Sequence, residues 1–492
     1  MHIAVVGGGV AGLGAALALA RAGHRVTLIE RDATPFPEDP VTAFDSWDRR
    51  GAPQVRHSHA FLARLRNLLR DRLPDILEQL LAAGAEELPV ASLLRDGIDD
   101  PAPRPGDEDL VLLACRRLTF EWVLHRAVLD TPAIDFRHGC VVQALQVEER
   151  AGQPRVVGVR FDAGESAEPL LADLVVDASG RRSRLPQWLA AAGLPTPEEE
   201  SSPCGIFYCS RFYRLRPNVA APERETTIGA DLGYLKYAIF HGDSRIFSIT
   251  FAAPPEDRPL RALLRTGPFA RAAAALPPTR RWVDEAVSEP ISDVHGMDGL
   301  RNLRRRLVRD GRPLVPGLVA IGDAAIHTNP LYGRGCTFAL VHAFLLVDAL
   351  AAQGPDPSGV ALALEQASER EIMPWVQIGI VQDAEASRFA QELRDGGSQQ
   401  APSGPGPVDP RAYARDLMQR GLLPALALDA TVLRAFLRGF NLLEAPGELM
   451  RDPDVLRRVL AVYQGREQRQ APDLGPNRAG MLALLSGPAE AG

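Results

Sequence analysis

The stretch HIAVVGGGVAGLGAALALARAGHRVTLIER, residues 2–31, constrains the fold more than any other part of the chain. Four apolar residues at 3–6 read as a buried strand, and the glycines that follow read as a tight turn into a helix over roughly 10–22. Gly23 stops that helix, and RVTLIE is a second strand. Strand, helix and second apolar strand at this spacing make a parallel βαβ unit, so the chain is an α/β protein with helices packed on a parallel sheet. Within the turn, Gly7 permits the tight bend, Gly9 lets a pyrophosphate approach the backbone, and Gly12 lets helix and strand pack closely. Glu30 ends the second strand at the spacing that a ribose hydroxyl needs.

At 492 residues, two or three packed units are expected. The formal charge of −7 argues against nucleic acid as a partner. Lys236 is the only lysine, so nearly every cation is an arginine. Cys115, Cys140, Cys204, Cys209 and Cys336 form no CxxC pair and no zinc-type spacing, which predicts a reduced, cytoplasmic protein without a metal. The apolar strand begins at once, with no basic segment before it, so no signal peptide is expected. No run of about 18 uninterrupted apolar residues occurs, so no transmembrane segment is expected either.

Along the chain, 59–84 reads as helical, and DDPAPRPGDED at 99–109 as a polar loop. The helix LTFEWVLHRAVLD follows the short strand LVLLACR. The segment 136–176 is β-rich and ends in LADLVVDASGRRSRLP. Alternating aromatic and polar residues over 205–252 predict a separate sheet, and the chain beyond 350 reads as helical, broken by a Gly/Pro/Ser-rich loop at 394–411 with the composition of a mobile segment. The expected organisation is a discontinuous Rossmann-like domain (1–185 and 301–355), a β-sheet substrate domain (186–300) and a helical C-terminal region (356–492).

Two further motifs follow strands. Asp177 in DASG reads by itself as a turn former or helix cap as readily as a ligand contact. In GDAAIHTNPLYGRGCTFAL, residues 322–340, a buried strand runs through Asp323 into a glycine loop and then an apolar helix. Helix starts present unpaired N–H groups and a positive dipole end, so an electron-rich group fits there. His57 and His59 could share a strand face as a metal pair, but no third ligand has suitable spacing.

The three motifs in this order resemble the fingerprints of FAD-dependent oxygenases similar to p-hydroxybenzoate hydroxylase, over residues 1–350. The resemblance implies that Gly7, Gly9, Val10, Ala11, Gly12, Glu30 and Arg31 meet the ADP half of FAD. It places Asp177, Gly322 and Asp323 along the cofactor, with Asp323 on the ribityl chain. It sets Gly333, Gly335, Cys336 and Thr337 against the flavin N1–C2=O edge. RRGAPQVRHSH (49–59) and NPLYGRG resemble segments of bacterial squalene- and polyether-type flavin epoxidases, an assignment that suggests bacterial secondary metabolism. By that likeness Arg50 contacts the cofactor, Gly51 and Ala52 lie against the flavin ring, Arg117 reaches the phosphates or ribityl chain, Val142 touches the adenine, and Pro330 shapes the oxygen site. The family's usual GDAAH has Ile326 in place of histidine, with His327 one position later.

The implied activity is that of a monooxygenase, which hydroxylates or epoxidises a small apolar organic substrate with molecular oxygen through a flavin C4a-hydroperoxide. NAD(P)H, bound transiently, or a partner flavin reductase would supply electrons, because the single dinucleotide fingerprint is claimed by FAD. No catalytic acid or base can be singled out. A reductase similar to geranylgeranyl reductase is the alternative. A halogenase is less favoured, because the WxWxIP motif is absent and Lys236 lies far along the chain.

Overall fold

The structure is a computed structural model that describes residues 1–94, 97–150, 152–162, 167–223, 229–396, 409–469 and 473–487. Its central sheet takes strands from four separate stretches of chain: β1 (His2–Val6), β2 (Arg25–Glu30), β3 (Ile134–His138), β4 (Leu174–Asp177) and β5 (Leu318–Ala320). They lie in the order β5-β4-β1-β2-β3, all parallel. β1, β4 and β5 are almost wholly buried, as expected of strands covered on both faces.

Three helices carry the residues of the candidate site: α1 (Val10–Arg21), α2 (Arg117–Leu129) and α3 (Gly335–Gln353). α1 and α3 pack so tightly that a Cβ added to Gly14 would lie 2.5 Å from Leu340 Cδ2. A larger residue at Gly14 would force the Leu340 side chain to move. By length and composition the 19-residue α3 could cross a membrane, but 67% of its apolar window is buried inside the protein, as in a core helix. The helical stretch at 59–84 divides into Ala63–Arg72 and Pro74–Ala82, because Pro74 has no N–H to continue the first helix and suits the first position of the second.

The second sheet is antiparallel, built on Lys236–His241, Ile246–Ala253 and Phe207–Leu215, with Ser288–Pro290 and His295–Met297 pairing with the last of these. One face carries Phe207, Tyr213, Phe247, Ile249 and Phe251 into a core with Phe269, Leu276 and Trp282. The chain returns to this core at its end: Met481 and Leu485 of the helix Arg478–Leu485 are buried in it, and Arg478 donates two hydrogen bonds to Asp257. Helices of 417–463 pack instead with Val90, Ile98 and Leu110. The middle of the loop foreseen at 394–411, residues 397–408, lies outside the described residues, and the helices on either side end at Arg394 and begin at Pro410.

Candidate functional site

The three motifs meet at one edge of the parallel sheet. Val6 pairs with Asp177, and Asp177 with Ala320, so the glycine turn, the DASG turn and the Asp323 turn leave neighbouring strands at their carboxyl ends. Open α/β sheets bind ligands in that position. Gly7 has φ +107°, and a Cβ at Gly12 would stand 1.7 Å from Gly7 O, so each needs to be glycine for the turn itself. Gly9 differs: a Cβ there would meet nothing within 4 Å. It borders open space at the start of α1, whose N-terminus has no side-chain cap.

The same holds at α3. Gly335 is exposed, a Cβ there would also meet nothing within 4 Å, and no side chain caps the helix. Thr337 in its first turn is fully buried, yet among the described residues its Oγ1 has no hydrogen-bond partner. Asp323 stands partly exposed on the preceding turn, with His327 Nε2 3.9 Å from its carboxylate. Gly322 brings that turn against α1: its Cβ would lie 2.7 Å from Ala11 Cβ. Its N–H donates to His342 Nδ1 at 3.0 Å.

Between the two helix starts runs a buried chain of ions. Glu30 Oε2 accepts the Gly8 N–H at 2.6 Å, and Oε1 accepts that of Asp32 at 2.8 Å. Arg49 donates through Nη2 to Gly8 O at 2.8 Å and stands 3.3 Å from Asp32 through Nη1. Its Nε and Nη2 donate to Glu121 Oε1 at 2.9 and 2.6 Å. The other oxygen of Glu121 accepts from Arg117 Nε and Nη2 at 3.0 and 2.9 Å, while Arg117 Nη1 reaches Cys336 Sγ at 3.3 Å and His59 Nε2 at 3.4 Å. Burial alone would raise the Glu121 carboxyl, but the two guanidiniums outweigh it and hold its pKa at about 2. One turn along α2, His125 is buried among Phe36, Trp47 and Phe136, with Nε2 unpartnered. Desolvation, and then the charge of Arg49, keep it neutral with a pKa of about 3.

Arg50 is the arginine expected at the cofactor from the RRGAPQVRHSH segment. In the structure the Arg50 side chain is 88% exposed and pairs with Asp48, and its neighbour Arg49 points inward. Arg49, Asp32 and Glu121 were not singled out from sequence. The one available signal was Arg117 and Glu121 standing four apart on the same helix. Gly51 donates its N–H to Asp32, so it sits at the end of β2, and Ala52 packs with Phe44, Trp47 and Phe212. Arg31 is exposed, and Val142 is buried against the sheet. Asp177 takes the local role: its oxygens accept from Ser179 N, Ser179 Oγ and Ser183 Oγ, and burial raises its pKa.

His57 and His59 are buried bases with separate partners. His57 Nδ1 lies 3.3 Å from Ser210 Oγ on the second sheet, and His59 Nδ1 lies 3.0 Å from His57 O. Burial lowers both to a pKa of about 3. Ser248 Oγ, Ser58 Oγ, Thr250 Oγ1 and Ser210 Oγ follow one another at 2.7 Å spacings, so the segment around 57–59 joins the second sheet to Arg117. Of the aromatic alternation on that sheet, Tyr208 faces His57, and Tyr213 belongs to the core on the other side.

The loop before α3 is held from behind. Pro330 is exposed and opens a turn closed by Gly333 at φ +66°. Asp383 accepts from Asn329 Nδ2, Asn302 Nδ2 and Tyr332 Oη at 2.8, 2.8 and 2.7 Å. Arg334 lies between the rings of Tyr332 and Trp375, and desolvation lowers its pKa to about 10.

These residues fit a long dinucleotide. Uncapped helix starts bordered by open space stand at both ends, an orphaned threonine hydroxyl and an orphaned imidazole lie along the way, and buried arginines span the interval.

The profile of the FAD dependent oxidoreductase family matches residues 2–38. Protein Rv3254 of Mycobacterium tuberculosis is 32% identical over 403 residues, spanning 77% of this chain and 79% of that protein. Among solved structures, CmlS, a flavin-dependent halogenase, superposes with a TM-score of 0.56 at 17% identity over 98% of this chain and 76% of its own. PqsL, a probable FAD-dependent monooxygenase from Pseudomonas aeruginosa, gives 0.53 at 16% over 80% and 97%. OxyS anhydrotetracycline hydroxylase from Streptomyces rimosus gives 0.53 at 16% over 90% and 77%. At these identities the solved structures establish the fold.

Proposed function

The chain belongs to the same family as the mycobacterial protein and is an FAD-dependent oxidoreductase, and on that premise we propose that it is a monooxygenase that hydroxylates or epoxidises a small apolar organic substrate. The observation that carries this reading is the pair of open helix starts, at Gly9 and Gly335, with a second sheet facing the buried segment between them. PqsL and OxyS, which share the fold, are described as a monooxygenase and a hydroxylase.

Gly9 and the N-terminus of α1 would hold the pyrophosphate, Glu30 the ribose, Asp323 the ribityl chain, and Gly335, Cys336 and Thr337 the pyrimidine edge of the flavin. When bound and reduced, FAD supplies the electron pair that activates molecular oxygen. The backbone N–H groups at the start of α3 stabilise negative charge at their end without a mobile side chain. The Asn329–Tyr332–Asp383 bonds hold the Pro330–Gly335 loop in place. His57 and Ser58, tied into the second sheet, help exclude water from the interval.

The electrons come from NAD(P)H bound fleetingly, or from a partner reductase in the cytoplasm. Lys236 is engaged by Asp231 on the second sheet, which favours oxygen transfer over halogenation. The nearer rival is a reductase that uses the same cofactor contacts. Isotopically labelled oxygen separates the two: reduced enzyme with substrate gives a product carrying one labelled atom. Product that forms equally well without oxygen and never carries the label replaces this reading with the reductase one.

A further inference from the structure

We propose that Glu121 is a positioning residue for the cofactor, coupling its nucleotide end to its flavin end through the two arginines it bridges. The inference rests on the FAD reading and deepens it. Glu121 is fully buried in the second turn of α2, and each of its oxygens serves a different arginine. A buried carboxylate satisfied by two guanidiniums is held rigidly, because releasing either partner leaves a charge unpaired away from water.

The far sides of those arginines reach opposite ends of the ligand path. Arg49 grips the carbonyl of Gly8, next to the open face of Gly9, and lies 3.3 Å from Asp32 beyond the end of β2. Arg117 reaches Cys336 in the first turn of α3, next to the open face of Gly335, and His59. Thus one side chain on one helix sets both the glycine turn and the α3 start, although these lie more than 300 residues apart in the chain. One turn further along α2, His125 is buried with its Nε2 unpartnered among the described residues.

The geometry assigns each arginine a separate half of FAD and gives Glu121 both. ADP and flavin mononucleotide serve as probes of the halves. Glu121→Gln, which keeps the size and removes the charge, is expected to weaken ADP and flavin mononucleotide at least tenfold each, measured by calorimetry and flavin fluorescence on the full chain. Arg49→Gln is expected to weaken chiefly ADP, and Arg117→Gln chiefly flavin mononucleotide. Glu121→Asp, which keeps the charge on a shorter stem, is expected to recover part of both affinities, a recovery that a merely structural role does not require.

If Glu121→Gln does not fold, the coupling is read from the arginines. The FAD dissociation constants of Arg49→Gln, Arg117→Gln and the double variant are then expected to be non-additive, because both act through one carboxylate. Additive effects overturn the proposal, as does a folded Glu121→Gln that binds either half within twofold of wild type. Wild-type protein that takes up no FAD overturns the cofactor reading itself. Wild type that binds FAD while Glu121→Gln equals it overturns only the role of Glu121.

Discussion

The helix starts at Gly9 and Gly335 contrast with those at Asp356, Asp429 and Asp452. At those three C-terminal helices an aspartate side chain accepts the first free N–H groups: Asp356 from Ser358 and Gly359, Asp429 from Thr431 and Val432, and Asp452 from Asp454 and Val455. The chain closes those ends itself. At Gly9 and Gly335 no side chain does so, and the space in front is open. An uncapped start costs about 1 kcal/mol relative to a capped one, so keeping two of them open at one sheet edge is consistent with donors reserved for a ligand.

The largest effect that tests this contrast is at Gly9. Gly9→Val places a side chain in open space at φ −84°, where the backbone tolerates it, so the fold should survive while FAD affinity falls a hundredfold or more, read by fluorescence titration beside a melting curve. Loss of the fold together with binding would show that Gly9 serves the turn, as Gly12 does.

Gly335→Asp comes next. A carboxylate at a helix start stabilises the helix by roughly 0.3–1 kcal/mol, yet here it repels an anionic ligand edge, so the melting temperature should hold or rise slightly while FAD binding weakens about tenfold and its reduction slows. Opposite signs in the two measurements mark an open, ligand-facing end. Asp429→Ala should show the reverse pattern, costing about 1–2 kcal/mol of stability by denaturant titration with FAD affinity unchanged.

The smallest effect is in pH. His57, His59 and His125 have folded pKa values of about 3, below the unfolded value of 6.5, because burial disfavours their charged forms. The unfolded chain therefore binds these protons first. Their contribution is fully present above pH 6.5 and is lost as pH falls towards 3. His57→Gln should flatten that loss in urea midpoints measured between pH 7 and 4; an unchanged slope would mean that His57 is solvated.

The contrast also explains what could be read from the sequence. The βαβ unit was legible because its strands are apolar runs and its turn is set by glycines whose spacing is local. The placement of Asp323 and Gly335 at the sheet edge was legible because a strand, a turn and a helix follow one another directly. Arg49 and Glu121 were not, since their contact spans 72 positions, and nothing in the irregular stretch around 48–52 tells which of two adjacent arginines turns inward. Asp383 escaped for the same reason: it holds Asn329, just before the Pro330–Gly335 loop, from 54 residues downstream. Glycine patterns announce where a backbone turns tightly or borders open space, whereas buried ion chains become visible only once distant elements are packed.

The most direct measurement is the crystal structure of the protein with FAD. The pyrophosphate is expected on the N–H groups at Gly9 and the start of α1, and the pyrimidine edge of the flavin on those of Gly335–Thr337, with Glu121 still holding Arg49 and Arg117 between them. FAD bound elsewhere, or with either helix start still facing solvent, would contradict that arrangement.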